Sequence, residues 1–328
     1  MHEEHVPRLA CPACRGDVRL TACTERDGGQ VVTGRLGCAA CGADYPVLRG
    51  VPRFVPAENY ASSFGLEWTR HARTQYDSYS GVALSAHRFF DETRWPRDLA
   101  GQTILEVGSG SGRFTEPAAA TGALVVSMDY SYAVDANSAS NGWKPNVLIV
   151  QGDVYRMPFR PATFDRLFCF GMLQHTPDPH AAFRALPPML KPGGQLVADV
   201  YKKTLFSTVL HTKYLARLWT RRMEPERLYR LTRRWVDLMW PLCSVIRRIP
   251  RIGPSINWRL LVADYSAWGL EGDVLKEWAY LDTFDMLGPR YDAPQTLRTM
   301  QCWFAEAGLT DIDVRYGHNG VEGRARKT

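Results

Sequence analysis

An apolar stretch, Ile104-Leu105-Glu106-Val107, runs directly into Gly108-Ser109-Gly110-Ser111-Gly112-Arg113-Phe114. Three alternate glycines after a strand make a turn with no Cβ to hold a ligand off the backbone. A helix that follows such a turn points unpaired N–H groups at the same place. A dinucleotide fingerprint needs glycines at its first, third and sixth positions. Here the sixth is Arg113; the glycines stand first, third and fifth, and Glu106 lies two residues before the first. A glycine-rich turn of some other α/β protein is the plain alternative. Acidic residues recur where the next strands should end, Asp129 after 124–128 and Asp153 after 147–152. Those carboxyl ends are where an open α/β sheet binds its ligands.

A second chemistry lies near the start of the chain. Cys11-Pro12-Ala13-Cys14 and Cys38-Ala39-Ala40-Cys41 are two CxxC turns. Each turn sets two thiolates on one side of a tight loop, and two turns complete a tetrahedral site for zinc. A redox dithiol would not need two pairs. Asp27-Gly28-Gly29 reads as a hairpin turn between short β-prone pieces, and 45–47 and 51–54 read as closing strands. Residues 1–57 are therefore expected to form a zinc ribbon, with Cys23 a bystander. So small a unit has too little core to fold without its metal.

The glycine turn and the acids after it resemble the motifs of the class I S-adenosylmethionine (SAM) methyltransferases. The resemblance covers residues 100–200 in register, with a fourth strand at 164–170 and a Leu190-Lys191-Pro192-Gly193-Gly194 loop before a fifth at 195–200. It implies a Rossmann-like, doubly wound α/β sheet of seven strands ending in an antiparallel hairpin. It also implies a SAM site of Glu106, Gly108, Gly110, Gly112, Asp129, Tyr130, Gly152, Asp153, Val154 and Gln174. In the family an acid like Asp129 grips the ribose hydroxyls. An acid like Asp153 meets the adenine amino group, and the backbone of the next residue meets the ring. The first unit is similar to the small ribbon of tRNA-methyltransferase activator proteins.

Several elements must position these groups. Residues 58–100 read as a linker and helical cap, whose aromatics either fold over the SAM pocket or pack the ribbon on the core. The SAM-binding core is expected at 101–201. A basic helical insert follows at 202–262, and the rest of the core lies at 263–328, with a helix over 295–308 and strands at 312–316 and 321–325. The 328 residues carry a net charge of +6, but the insert alone holds fourteen Lys or Arg against three Asp or Glu. Its +11 leaves −5 for the remainder. In the insert Pro225 suits a first helical turn. Leu228, Leu231, Trp235, Leu238 and Leu242 form one apolar stripe flanked by Arg227, Arg230, Arg233 and Arg234, and Pro241 and Pro250 break the pattern. No stretch approaches the roughly 18 apolar residues of a membrane span. The first residues lack the pattern of a signal peptide, so a cytoplasmic protein is expected.

Beside the transferable methyl, the fourth strand ends in Gly171-Met172-Leu173-Gln174-His175. The Asn-Pro-Pro-Tyr run of DNA and protein amide methyltransferases is missing, and the sequence looks like small-molecule enzymes, where a His often follows this strand. His175 is a candidate base, with orientation of SAM as its other reading. Asp282 and Asp285 are alternative bases, in a stretch with Trp278, Tyr280, Arg290, Tyr291 and Asp292. With His318 and Asn319 these line either a substrate mouth or a solvated loop. The insert reads as a lid with Trp219, Trp235, Trp240 and Trp258 as apolar walls, as a surface for RNA phosphates or phospholipid, or as a solvated face. A small-molecule acceptor methylated on oxygen is the favoured expectation, anionic if the arginines meet it, with C- or N-methylation open. Methylation of ribosomal or transfer RNA comes second, and a non-catalytic SAM-fold partner third. Oligomeric state and acceptor atom are not legible.

Overall fold

The computed structural model describes residues 1–56, 61–205, 208 and 211–328. The expected boundary between ribbon and linker at 57/58, and part of the insert's start, lie outside the described residues. In the N-terminal unit β1 (Val18–Asp27) and β2 (Gln30–Cys38) form a hairpin, and β3 (Asp44–Leu48) and β4 (Val51–Pro52) complete a four-stranded antiparallel sheet. The β1–β2 turn places Gly28 and Gly29 at φ +53° and +82°, the left-handed region that a two-residue hairpin turn demands.

This unit is not a separate bead. Val6, Leu9, Leu36 and Val47 share one hydrophobic cluster with Leu148, Val150 and Phe159 of the main domain. Arg53, 7% exposed, reaches across the seam to donate to Asp135 Oδ1 (2.5 Å) and Gln151 Oε1 (2.9 Å). Removing one partner of a buried pair strands the other charge. Arg53→Ala is expected to cost about 2–4 kcal/mol, read as a lower urea midpoint at unchanged slope. An unchanged midpoint would mean that the seam does not bear on folding.

Three helices lead to the main sheet: α1 (Ser62–Arg70), α2 (Asp77–Ser80) and α3 (Leu84–Thr93). The sheet contains β5 (Thr103–Val107), β6 (Leu124–Asp129), β7 (Val147–Gln151), β8 (Phe164–Cys169) and β9 (Leu190–Val200), all parallel, with β10 (Leu309–Tyr316) and β11 (Val321–Lys327). Its order is β10-β11-β9-β8-β5-β6-β7, and β11 is antiparallel to both neighbours. The inner strands are apolar almost throughout, as strands covered on both faces must be. Short helices α4 (Thr115–Ala119), α5 (Val134–Asn141) and α6 (Pro179–Arg184), with α11 (Leu297–Glu306), form the covering layers. This is the expected seven-stranded, doubly wound architecture. The order reverses between β5 and β8, which puts the binding crevice at their carboxyl ends.

Residues 212–287 form α7 (Thr212–Thr220), α8 (Pro225–Ile246), α9 (Gly253–Arg259) and α10 (Gly272–Leu287). Pro225 stands in the first turn of α8, capped by the Glu224 carboxylate, which accepts from the backbone N–H of Glu226 and Arg227. Contrary to expectation, Pro241 does not break this helix. The carbonyl it leaves without a partner is that of Asp237, on the exposed face, where water can satisfy it. The stretch containing Asp282 and Asp285, one of whose readings was a solvated loop, is the largely buried helix α10.

Candidate active site

The carboxyl ends of β5, β6, β7 and β8 open into one cavity with about 1180 Å³ of unfilled space, part of it continuous with solvent. Its floor is the glycine turn. Gly108 has φ +85°, and a Cβ there would stand 2.4 Å from Met172 Cβ. Gly110 has φ +53°, and a Cβ there would come within 3.1 Å of the Trp68 indole, which α1 lays over the turn. Backbone alone fits between these two side chains.

Glu106 lies beneath this floor and does not line the cavity. Its carboxylate accepts from the hydroxyls of Thr115 and of Ser127, the latter at 2.7 Å. Burial pushes its pKa up to about 7, against the pull of those two hydrogen bonds. Asp129, at the end of β6, does face the cavity. Its Oδ2 accepts from Gly110 N (2.9 Å), and its Oδ1 from Ser131 N (2.8 Å) and Ser131 Oγ (2.7 Å). Tyr130, Gly152, Asp153 and Val154 continue the same wall, with Asp153 accepting from Tyr155 N at 3.0 Å.

The opposite wall comes from α1, α3, α10 and the segments after β8 and β9. His175 is wedged edge-on between Phe64 and Tyr201, at ring separations of 5.2 and 5.4 Å. Its Nδ1 lies 3.0 Å from the Tyr291 carbonyl oxygen. A carbonyl only accepts, so Nδ1 carries the proton and Nε2 is the acceptor of the neutral ring. Asp282 Oδ1 accepts from Gln75 Nε2 at 3.2 Å. Burial, then the neighbouring Asp285, pushes the Asp282 pKa up to about 7, while the Tyr265 hydroxyl, Arg113 and Arg88 oppose the rise. Glu67 is 1% exposed, and its Oε1 has no hydrogen-bond partner. Burial, then Asp285 and Asp282, holds its carboxyl well above the usual range. Three carboxyl groups thus crowd one wall, offering acceptors and at least one proton.

Of the residues singled out in the sequence, the cavity gathers Gly108, Gly110, Asp129, Tyr130, Gly152, Asp153, Val154, His175, Asp282, Asp285 and Asn319. Gly112 packs against Asn137 instead. Gln174 is buried behind the wall, donating to Gly171 O at 2.9 Å. His318 stands outside, 3.3 Å from Asp91 and near Trp268. Of the other residues in the downstream cluster, Asp292 is sequestered by Lys213 (3.1 Å) and Arg217 (3.7 Å), and Tyr280 donates to Asp237. No described residue of 202–262 lines the cavity. The insert packs behind α1 and α10, so among the described residues neither it nor its tryptophans wall the cavity as a lid would. Glu67, Arg88, Arg113, Tyr201 and Tyr265 line the site without having been singled out for it.

The four cysteine sulfurs of the ribbon lie within 4.8 Å of one another, with Cys11–Cys41 at 3.7 Å and Cys14–Cys38 at 3.5 Å. Disulfide sulfurs would be bonded at about 2.05 Å, whereas four sulfurs about 2.3 Å from one tetrahedral zinc stand about 3.8 Å apart. The donor set and spacing fit a closed zinc site of four thiolates. Tyr45 Oη lies 3.0 Å from Cys11 Sγ and supports it from outside. Cys23 is not part of the cluster.

Residues 105–198 match a family model described as a methyltransferase domain. The ubiquinone biosynthesis O-methyltransferase of Xanthomonas oryzae pv. oryzae (strain PXO99A) is 34% identical over 130 residues, which are 38% of this chain and 54% of that protein. That of Xylella fastidiosa (strain 9a5c) is 32% identical over 126 residues, covering 37% and 51%. The chain thus spans about half the length of the curated relatives it matches. Among solved structures, a phosphoethanolamine N-methyltransferase of Haemonchus contortus in complex with SAM gives a TM-score of 0.42 at 17% identity, over 83% of this chain and 48% of that one.

Proposed function

We propose that this chain, which carries a class I SAM-methyltransferase domain behind a four-cysteine ribbon, methylates an oxygen of a small hydroxylated acceptor. The observation that carries the reading is the two-sided cavity. Its glycine floor and Asp129–Asp153 wall suit an adenosine, and its Glu67–Asp282–Asp285 wall supplies acceptors for hydroxyl groups.

When bound, SAM supplies an electrophilic methyl on a sulfonium. Asp129, which faces the cavity, would hold the ribose hydroxyls. Asp153 and the backbone of Val154 would meet the adenine. On the other wall Gln75 holds Asp282 in place. With the methyl–sulfur bond breaking and S-adenosylhomocysteine leaving as a neutral thioether, the acceptor's proton would pass to Asp282, whose pKa of about 7 matches it to that task near neutrality. His175, fixed by Tyr291, orients the acceptor through Nε2. Trp68 and Phe64 exclude water from above.

The insert's arginines, which suggest an anionic acceptor, lie behind α1 and α10 rather than on the cavity. The relatives named O-methyltransferases support oxygen as the acceptor atom. Among the described residues no helix is long and apolar enough to cross a membrane. We place the protein in the cytoplasm, where free cysteines persist.

Asp282→Asn keeps the shape and removes the base. It is expected to lower kcat by about a hundredfold or more while SAM affinity stays within about twofold. The wild-type rate should fall as pH drops below about 7, because the base must be deprotonated and its carboxyl titrates there; the variant should lose that limb. Wild-type kcat in Asp282→Asn would overturn the assignment of the base.

A further inference from the structure

The insert presents an apolar face that no described residue covers. Among the described residues, eleven of the eighteen large apolar side chains left exposed lie within 202–262. On α8 these are Leu231, Trp235, Leu238, Leu242 and Val245, with Leu238 at 72% exposure. At about 100° per residue they share an arc of about 80°. The buried side of the same helix is a different one, made by Leu228, Tyr229, Thr232, Val236 and Cys243. Trp219 on the neighbouring α7 is 70% exposed as well.

Charge decides what this face fits. Arg227, Arg230 and Arg234 run along the flank of the stripe away from the core, all exposed. The acids of the insert are occupied elsewhere: Glu226 pairs with Arg70 (2.8 Å), Asp237 pairs with Lys276 (2.7 Å), and Glu224 caps α8. A second copy of the chain docked with the two helices antiparallel would set this arginine ridge against its own like. RNA would meet the arginines but offers no place for a row of Leu and Val side chains. An anionic bilayer surface satisfies both parts at once, with lipid phosphates at the arginines and the acyl boundary under the apolar stripe.

We propose that the outer face of α8, with the exposed end of α7, is a docking surface for an anionic phospholipid membrane, on which the helices lie flat. α8 packs directly on α1 and α10, the two helices that carry Trp68, Glu67 and Asp282. Docking therefore holds the cavity wall beside the bilayer. The proposal does not depend on the methyl acceptor.

The test is co-sedimentation of the full chain with vesicles of phosphatidylglycerol and phosphatidylcholine in equal parts, beside vesicles of phosphatidylcholine alone. The wild type is expected to pellet with the first and remain in solution with the second. Leu238→Glu combined with Leu242→Glu should abolish pelleting. Both positions are exposed, so SAM binding should persist and report the fold. Changing Arg227, Arg230 and Arg234 to Gln should weaken partition by about a hundredfold, at about fivefold per cation. A wild type that ignores anionic vesicles overturns the proposal. So does pelleting that survives the Glu pair. If the Glu pair instead turns a dimer into a monomer in sedimentation velocity while vesicles are ignored, the face joins two copies, and the membrane reading fails.

Discussion

Gly110→Arg is expected to abolish SAM binding, with isothermal titration showing one site per chain in the wild type and none in the variant. The position is left-handed, at φ +53°, which costs a residue other than glycine about 1–2 kcal/mol. That strain is the smaller effect. A side chain there must leave the turn between Trp68 and the cavity floor, where even a Cβ comes within 3.1 Å of the indole. The Gly110 N–H also holds Asp129 Oδ2 at 2.9 Å, so displacing the turn moves the carboxylate proposed to receive the ribose. Undiminished binding in a variant that melts like the wild type would remove this turn from the site.

Loss of zinc is expected to have the largest effect on stability. Cys11→Ser, or treatment with a strong chelator, should lower the melting temperature by roughly ten degrees or more. The ribbon's core is continuous with that of the main sheet through Leu9, Leu36 and Phe159, and Arg15 Nη1 donates to the carbonyls of Met157 (2.7 Å) and Phe159 (3.2 Å). Melting the ribbon therefore exposes one face of the main domain. Four thiolates close the site and leave no open position, so the metal's role is structural. Protein that stays folded should bind SAM with nearly wild-type affinity. Elemental analysis finding no zinc in freshly purified protein would contradict this account.

What could be read from the sequence was what short-range backbone chemistry controls. The turn at Gly108–Gly112, the acids closing β6 and β7 and the two CxxC pairs each carry their geometry within a few residues. α10 was harder to read. It is buried on most sides by Leu275, Trp278, Leu281 and Phe284, so it lacks a clean apolar stripe, and Asp282 and Asp285 resemble loop residues until the cavity beside them is seen. α8 misled in the opposite way. Its apolar stripe is real, yet apart from Leu228 it faces outward, and its buried side includes Tyr229 and Thr232, which no periodicity argument would choose. Glu67 belongs to the site only because α1 folds back against α10, a contact between residues more than two hundred positions apart. His318 fails for the converse reason: the turn after β10 carries it outward to Asp91.

The central claim, methyl transfer from SAM to a small hydroxylated acceptor, is tested most directly by following the methyl group itself. SAM bearing an isotopically labelled methyl is added with the purified protein to an extract of the source cells. Small molecules and RNA are separated and analysed by mass spectrometry. The expected result is label in a small molecule, on oxygen, in amounts that fall with Asp282→Asn and vanish with Gly110→Arg. Label found in RNA, with none among the small molecules, would contradict it.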